Sequence, residues 1–258
     1  MMRRLSVFLL LTGVLVVTLR LAFGKNLAWG SLVFLLFASA VCWLMVRFFD
    51  RRPLSSLGLS LYRGLEREIL AGIALGAILG FAHYGTLHIL GIQPIAATHS
   101  VSLGKALAMF GILFVTATGE EMLFRGYLLQ TLLQRWGHVP AIVFSSAAFA
   151  MMHYFTQSWL EMCGTLTFGA MLSVACLRTR SLWLSIGVHT AWNLTGMYVA
   201  AGAVFSGAIS NEFAVDSSYI FWMLVGLLIM IVLPLSSNRK AQELWETYIQ
   251  TEVQGEKR

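Results

Sequence analysis

LGKALAMFGILFVTATGEEMLFRGYLLQTLL, residues Leu103–Leu133, is apolar for long enough to cross a bilayer, yet it carries Glu120, Glu121 and Arg125. About 20 apolar residues span a hydrocarbon core. Each charge near the centre of a membrane helix costs about 2.5–3.5 kcal/mol, so an unpaired trio would cost on the order of 8–10 kcal/mol. A chain that keeps such a cluster has a use for it.

The rest of the sequence sets this stretch in a membrane. Of 258 residues, 58% are hydrophobic and 12% charged, a balance outside that of water-soluble domains. Runs of spanning length recur at about 5–23, 28–49, 69–90, 103–133, 140–156, 161–177, 182–200 and 218–236. The fold class expected is therefore all-α, a single polytopic bundle of about eight transmembrane helices.

Lys and Arg collect in cytoplasmic loops, and their distribution supports the even count. With the N-terminus inside, Arg3, Arg4, Arg47, Arg51, Arg52, Arg63, Arg67, Arg135, Arg178, Arg180, Arg239, Lys240, Lys257 and Arg258 fall on one side, fourteen of the eighteen basic residues. Arg125 is inside the fourth span, and Arg20, Lys25 and Lys105 fall toward the other face. Both termini are expected to be cytoplasmic. The short loops suggest a bacterial plasma membrane. The net charge of +6 follows from this topology and from contact with anionic lipid, and no basic groove for nucleic acid is present.

Residues 51–68 carry Leu54, Leu57, Leu61 and Leu65 at helical spacing between charged flanks, which predicts an amphipathic helix lying in the interface. The tail, 237–258, reads as a short cytoplasmic helix. Trp29, Trp136, Trp159 and Trp183 stand at span ends as interfacial anchors. The third span contains Gly72, Gly76 and Gly80, a ladder that lets a neighbouring helix approach closely. It also holds His83 and His88, which lack an acidic neighbour in sequence and read as structural; His99 and His138 read as surface residues. Cys42, Cys163 and Cys176 show no CxxC spacing and read as packing residues. Leu5–Leu19 is long for a signal peptide, and Arg20 with Phe23 makes a poor cleavage site, so the first span is read as uncleaved.

Two further segments carry polar groups that can reach the fourth span. Phe149 and His153 in the fifth, and His189 and Asn193 in the seventh, are each four residues apart and share a helix face. With a rise of 1.5 Å per residue, Glu120 lies roughly 22 Å from the cytoplasmic ends, His153 roughly 20 Å, Asn193 roughly 16 Å and His189 roughly 10 Å. A cavity between spans 4, 5 and 7, near the centre or on its cytoplasmic side, is expected. Two carboxylates, two imidazoles and an amide in a low-dielectric cavity suit water activation: a carboxylate as general base, an imidazole sharing its proton, and His and Asn hydrogen-bonding an oxyanion. Glu121 and Arg125, at i and i+4, read as an ion pair that orients Glu120. Phe149 is the candidate substrate-contacting residue.

GEEMLFRGYLL (Gly119–Leu129), FAMMH (Phe149–His153) and HTAWN (His189–Asn193) resemble, in order, the EExxxR, FxxxH and HxxxN motifs of the CPBP family. That family groups type II CAAX prenyl proteases with bacteriocin-processing and immunity proteins. The resemblance covers about 103–200, the expected catalytic core. It implies an intramembrane endopeptidase in which Glu120 and His153 activate water and His189 and Asn193 support the oxyanion. Its partners would be membrane lipids and a peptide or membrane-protein substrate. A zinc site from Glu120, His153 and His189, with Glu121 as base, would suit mixed nitrogen and oxygen ligation, although no HExxH supports it. Buried Glu and His chains also serve proton- or ion-coupled transporters, and a non-catalytic immunity or scaffold protein would keep the same fold.

Overall fold

A computed structural model describes residues 2–23, 27–93, 102–154, 156–200, 211–235 and 243. Long helices dominate them: α1 (Met2–Phe23), α2 (Leu27–Leu44) with a π-helical extension to Asp50, α3 (Leu65–Ile89), α4 (Leu103–Glu121), α5 (Gln130–Trp136), α6 (His138–Met152), α7 (Trp159–Thr179), α8 (Trp183–Ala200) and α9 (Glu212–Val232). A π-helical stretch, Met122–Leu129, joins α4 to α5 in one rod of 34 residues, roughly 50 Å long. The rods coincide with the eight expected spans. Among the described residues five are long and apolar enough to cross a membrane by length and composition, and α6, at 15 residues, is the shorter apolar member. The molecule is thus an all-helical, polytopic membrane bundle. His99, Lys25 and the tail 237–258, apart from Glu243, lie outside the described residues.

Neighbouring helix ends fix the alternation of direction. Arg4 at the start of α1 pairs with Asp50 at the end of α2 (3.2 Å), and Arg52 donates to Gln130 of α5 (2.7 Å). Arg178 near the end of α7 donates to the Met230 and Ile231 carbonyls at the end of α9. The basic loop ends therefore gather at one end of the bundle.

The amphipathic helix expected over 51–68 does not form. The segment makes a single 3-10 turn, Leu54–Leu57, and then a loop. Pro53 precedes that turn, and Gly58 (φ +96°) and Gly64 (φ +101°) adopt left-handed conformations that interrupt a helix. The leucines then part company: Leu57 is fully buried and Leu61 is 71% exposed. Leu57 packs against Gly126, and the Gly58 carbonyl accepts from the Leu182 amide (3.0 Å). The loop is tucked under the bundle, across its basic end.

Of the tryptophans, Trp29, Trp136 and Trp159 are exposed at helix ends as interfacial anchors would be. Trp183 is partly buried and donates to the Ser60 carbonyl (3.1 Å), so it also holds the tucked loop. The three cysteines are free, with Cys42 and Cys176 buried.

The glycine ladder sets the closest helix contact. Gly72 and Gly76 of α3 face the backbone of α8 at Leu184 and Val188, and Gly187 of α8 faces the Ile69 carbonyl in return. A Cβ at Gly80 would stand 2.8 Å from Thr195. This approach fixes α8, and with it His189 and Asn193, against the bundle. Gly76→Ala should lower the melting temperature of the detergent-solubilised protein by several degrees, although Ala is favoured over Gly by about 1 kcal/mol in a helix interior. Gly85→Ala, in the same helix but with open space at its Cβ, should leave it unchanged or raise it. Thermal unfolding of the two variants side by side checks the pair.

Candidate active site

The charged residues of the fourth span are buried and tied together. Arg125 and Glu121 are both inaccessible to solvent, and Glu120 is 8% exposed. Arg125 Nη1 donates to Glu121 Oε1 (2.9 Å), while Nη2 donates to the Gly169 carbonyl of α7 (3.2 Å). The guanidinium carbon lies 4.3 Å from the centroid of the Phe149 ring, a cation–π contact. The i, i+4 pair expected from sequence is present.

Arg125 sits in the π-helical stretch, and the neighbouring carbonyls show how that stretch is held. The Phe124 carbonyl accepts from Ser145 Oγ of α6 (2.9 Å), and the Met122 carbonyl from Cys42 Sγ of α2 (3.5 Å). Side chains of two neighbouring helices thus engage a locally widened backbone, a feature common at functional sites.

His189 joins the two glutamates. Its Nδ1 lies 2.9 Å from Glu121 Oε1 and its Nε2 lies 3.4 Å from Glu120 Oε2. A carboxylate paired with arginine accepts only, so His189 Nδ1 carries a proton. Its Nε2 then meets a second carboxylate, and the contact is attractive only if a proton sits between Nε2 and Glu120. With that proton the charges of Arg125, Glu121, His189 and Glu120 sum to zero, as a low-dielectric interior requires. The Phe149 and Phe168 rings stand edge-on to the His189 ring, at 5.8 and 5.2 Å between centroids, and fix its plane.

His189 also forms part of the wall of a cavity of about 280 Å³. His153, Asn193 and Phe149 line it too, so all four of the expected polar or aromatic groups of the fifth and seventh spans meet there. The enclosure is not the expected gap between spans 4, 5 and 7, because no residue of the fourth span lines it. α3 contributes His83 and Tyr84, α7 contributes Glu161, Thr165 and Phe168, and α9 contributes Asp216 and Tyr219.

His153 stands at the end of its helix and not within it. α6 ends at Met152, and His153 forms its C-cap at the end of the helix farthest from the basic loops. Its Nδ1 lies 3.1 Å from the Phe149 carbonyl, an acceptor, so Nδ1 holds the proton and Nε2 is the unprotonated nitrogen of the neutral ring. Phe149 is 1% exposed, with Arg125 on its ring and His189 at its edge. It is more a floor for the charged cluster than an open contact surface.

His83, read as structural from sequence, is a cavity-lining residue. It is hydrogen-bonded to Ser218 (3.0 Å) and flanked by Tyr84, Trp192 and Tyr219. Asp216, just ahead of the eighth expected span, and Tyr219 within it had no sequence signal, because their place depends on how α9 packs. Trp192, inside HTAWN, could have been found from its position one residue before Asn193.

The candidate zinc ligands do not assemble into a ligand set. Glu120 and His189 adjoin, but among the described residues no three His, Cys, Asp or Glu side chains stand close enough to hold one ion. The donors as arranged do not fit a metal.

The fold and this buried Glu–Arg–His cluster beside a polar cavity define a helical membrane protein with a site suited to acid–base chemistry in the bilayer. The model of the type II CAAX prenyl endopeptidase Rce1-like family matches residues 102–195, which hold all three motifs, and supports assignment of the chain to the CAAX-type proteases. No curated protein matches the chain. The family match supports an intramembrane CAAX-type protease at family level.

Removing one partner of a buried ion pair costs about 3–5 kcal/mol, because the other charge is left uncompensated. Arg125→Met should therefore lower the melting temperature sharply. Arg125→Met combined with Glu121→Leu should recover much of that loss. Thermal unfolding of the single and double variants separates pairing from packing.

Proposed function

We propose that the protein hydrolyses a peptide bond of a membrane-associated polypeptide with water activated by Glu120 and His153. The observation that carries this reading is the 3.4 Å contact of Glu120 Oε2 with Nε2 of His189, which lines the cavity together with His153 and Asn193; Glu120 itself stands behind His189, outside the lining. The resting proton lies on His189, leaving Glu120 as a carboxylate compensated by the imidazolium. Glu120 Oε2 is buried and meets His189 Nε2 only at 3.4 Å, a loose ion pair that leaves the carboxylate able to take a proton.

Water donates one hydrogen bond to His153 Nε2 and gives its proton to Glu120, while its oxygen bonds to the scissile carbonyl carbon. His189 Nε2–H, released from the newly neutral Glu120, and the Asn193 amide donate to the oxyanion. Glu120 then passes its proton to the leaving nitrogen as the C–N bond breaks. Arg125 and Glu121 touch no reacting atom and act by holding His189. The activation uses side chains alone. The protein acts in the bacterial plasma membrane with both termini cytoplasmic, and the basic helix ends on one side support that orientation.

General-base catalysis contributes about 10²–10⁴-fold, so Glu120→Gln should reduce processing of a membrane substrate by at least that range's lower end. Its melting temperature should stay near that of the wild type. Comparing membrane proteomes of cells carrying wild-type protein or Glu120→Gln identifies substrates and reads the effect. Unchanged processing would sink the proposal, and proton uptake into proteoliposomes lost in the same variant would point to a transporter. On an identified substrate, Asn193→Ala should lower kcat by about 10²–10³-fold with KM little changed, the signature of a lost oxyanion donor.

A further inference from the structure

The cavity is asymmetric along the bundle. Its polar lining comes from one set of helix ends: His83 and Tyr84 late in α3, His153 at the end of α6, Glu161 early in α7 and Asp216 early in α9. The opposite end is closed by the tucked loop, with Leu57 buried against the π-helical stretch and Gly58 bonded to Leu182. That closed end is the one that carries Arg3, Arg4, Arg47, Arg51, Arg52, Arg63, Arg67, Arg135, Arg178 and Arg180. By position along their helices Arg20 and Lys105 fall at the cavity end, and Lys25 lies outside the described residues. Basic loop ends face the cytoplasm. The cavity consequently opens toward the other side.

Its chemistry there is acidic and aromatic. Glu161 and Asp216 stand in the wall, Asp216 accepting from Ser158 Oγ (2.7 Å). Trp192 and Tyr219 stack at 5.1 Å in the same wall. Carboxylates beside π faces are the pairing that recognises an ammonium or guanidinium group.

We infer that the site takes a polypeptide segment presented from the extracytoplasmic side of the membrane, with a Lys or Arg side chain held by Glu161, Asp216 and the Trp192–Tyr219 stack near the bond to be cut. This rests on the proposed peptidase activity for the cutting, while the direction of access and the charge preference rest on geometry alone. Glu161 and Asp216 are specificity residues in this reading and take no part in the chemistry.

Two measurements test it without requiring turnover. Thr156→Cys, exposed at the cavity end, and Arg63→Cys, exposed at the basic end, are each placed in a Cys163→Ser background and treated in intact cells with a membrane-impermeant maleimide. Thr156→Cys should label in intact cells and Arg63→Cys only after permeabilisation; the reverse overturns the inference. Separately, a fluorescent lysine-rich decapeptide and its glutamate-rich counterpart are titrated against the detergent-solubilised Glu120→Gln protein. The lysine peptide should bind more tightly, and adding Glu161→Gln with Asp216→Asn should weaken it by about five- to tenfold, as expected for two lost partly screened charge contacts. Equal binding of both peptides, or no effect of the added substitutions, overturns it. If both measurements succeed while the wild-type protein cleaves no lysine-containing peptide, the peptidase reading fails and the access route stands.

Discussion

The imidazole of His189, set between Glu121 and Glu120, is the constraint on which the rest of the site depends. Without it, one arginine faces two carboxylates in a dry interior, and an uncompensated buried ion costs several kcal/mol. With it, the four groups form two compensated pairs in a row, joined by the 2.9 Å contact of His189 Nδ1 with Glu121. Each neighbouring element serves to hold that row. Gly169 supplies a carbonyl to Arg125, Phe149 lies against the guanidinium, and Phe149 and Phe168 fix the imidazole plane. The glycine contacts between α3 and α8 act one step further back: they bring the backbone of α8 close enough for His189 to reach both glutamates.

The two ends of the bundle divide the labour. The basic end is bound by Arg4–Asp50, Arg52–Gln130 and the hydrogen bonds of the tucked loop to Leu182 and Trp183. The other end gathers the cavity's acids and aromatics around His153. Hydrogen bonds such as Thr165 to Gln157 (2.8 Å) and His83 to Ser218 (3.0 Å) satisfy polar groups there without closing the space. A hydrolytic site in a bilayer needs both properties, a rigid charged floor and a wet approach; here the fourth span supplies the charges, the helices around it supply the approach, and His189 of α8 joins the two.

The helical rods and the Glu121–Arg125 pair were legible because each depends on local information: hydropathy over about 20 residues, or a four-residue spacing on one helix. The motif residues were legible from resemblance. Leucine spacing misled at 51–68, since periodicity cannot register that Gly58 and Gly64 turn the chain and send Leu57 inward and Leu61 outward. His153 was expected inside a helix but caps one, because α6 stops at Met152, four residues before the end that hydropathy gave its span. The contributions of His83, Asp216 and Tyr219 arise where α3 and α9 meet, a packing that no local pattern encodes.

Helical spacing had already separated Glu121, the partner of Arg125, from Glu120, the candidate base. The structure adds the reason that adjacent glutamates can differ so much. Successive residues on a helix point about 100° apart, so two neighbouring carboxylates meet different surroundings. Glu121 faces Arg125 and His189 Nδ1 in a site with no solvent access; Glu120 faces His189 Nε2 with some. One imidazole touches both and can transmit the charge state of one side to the other. A change at Arg125 thereby reaches Glu120 through Glu121 and His189, across three contacts and without touching it. The arginine belongs to the chemistry of the site for that reason, even though it lies wholly within the protein.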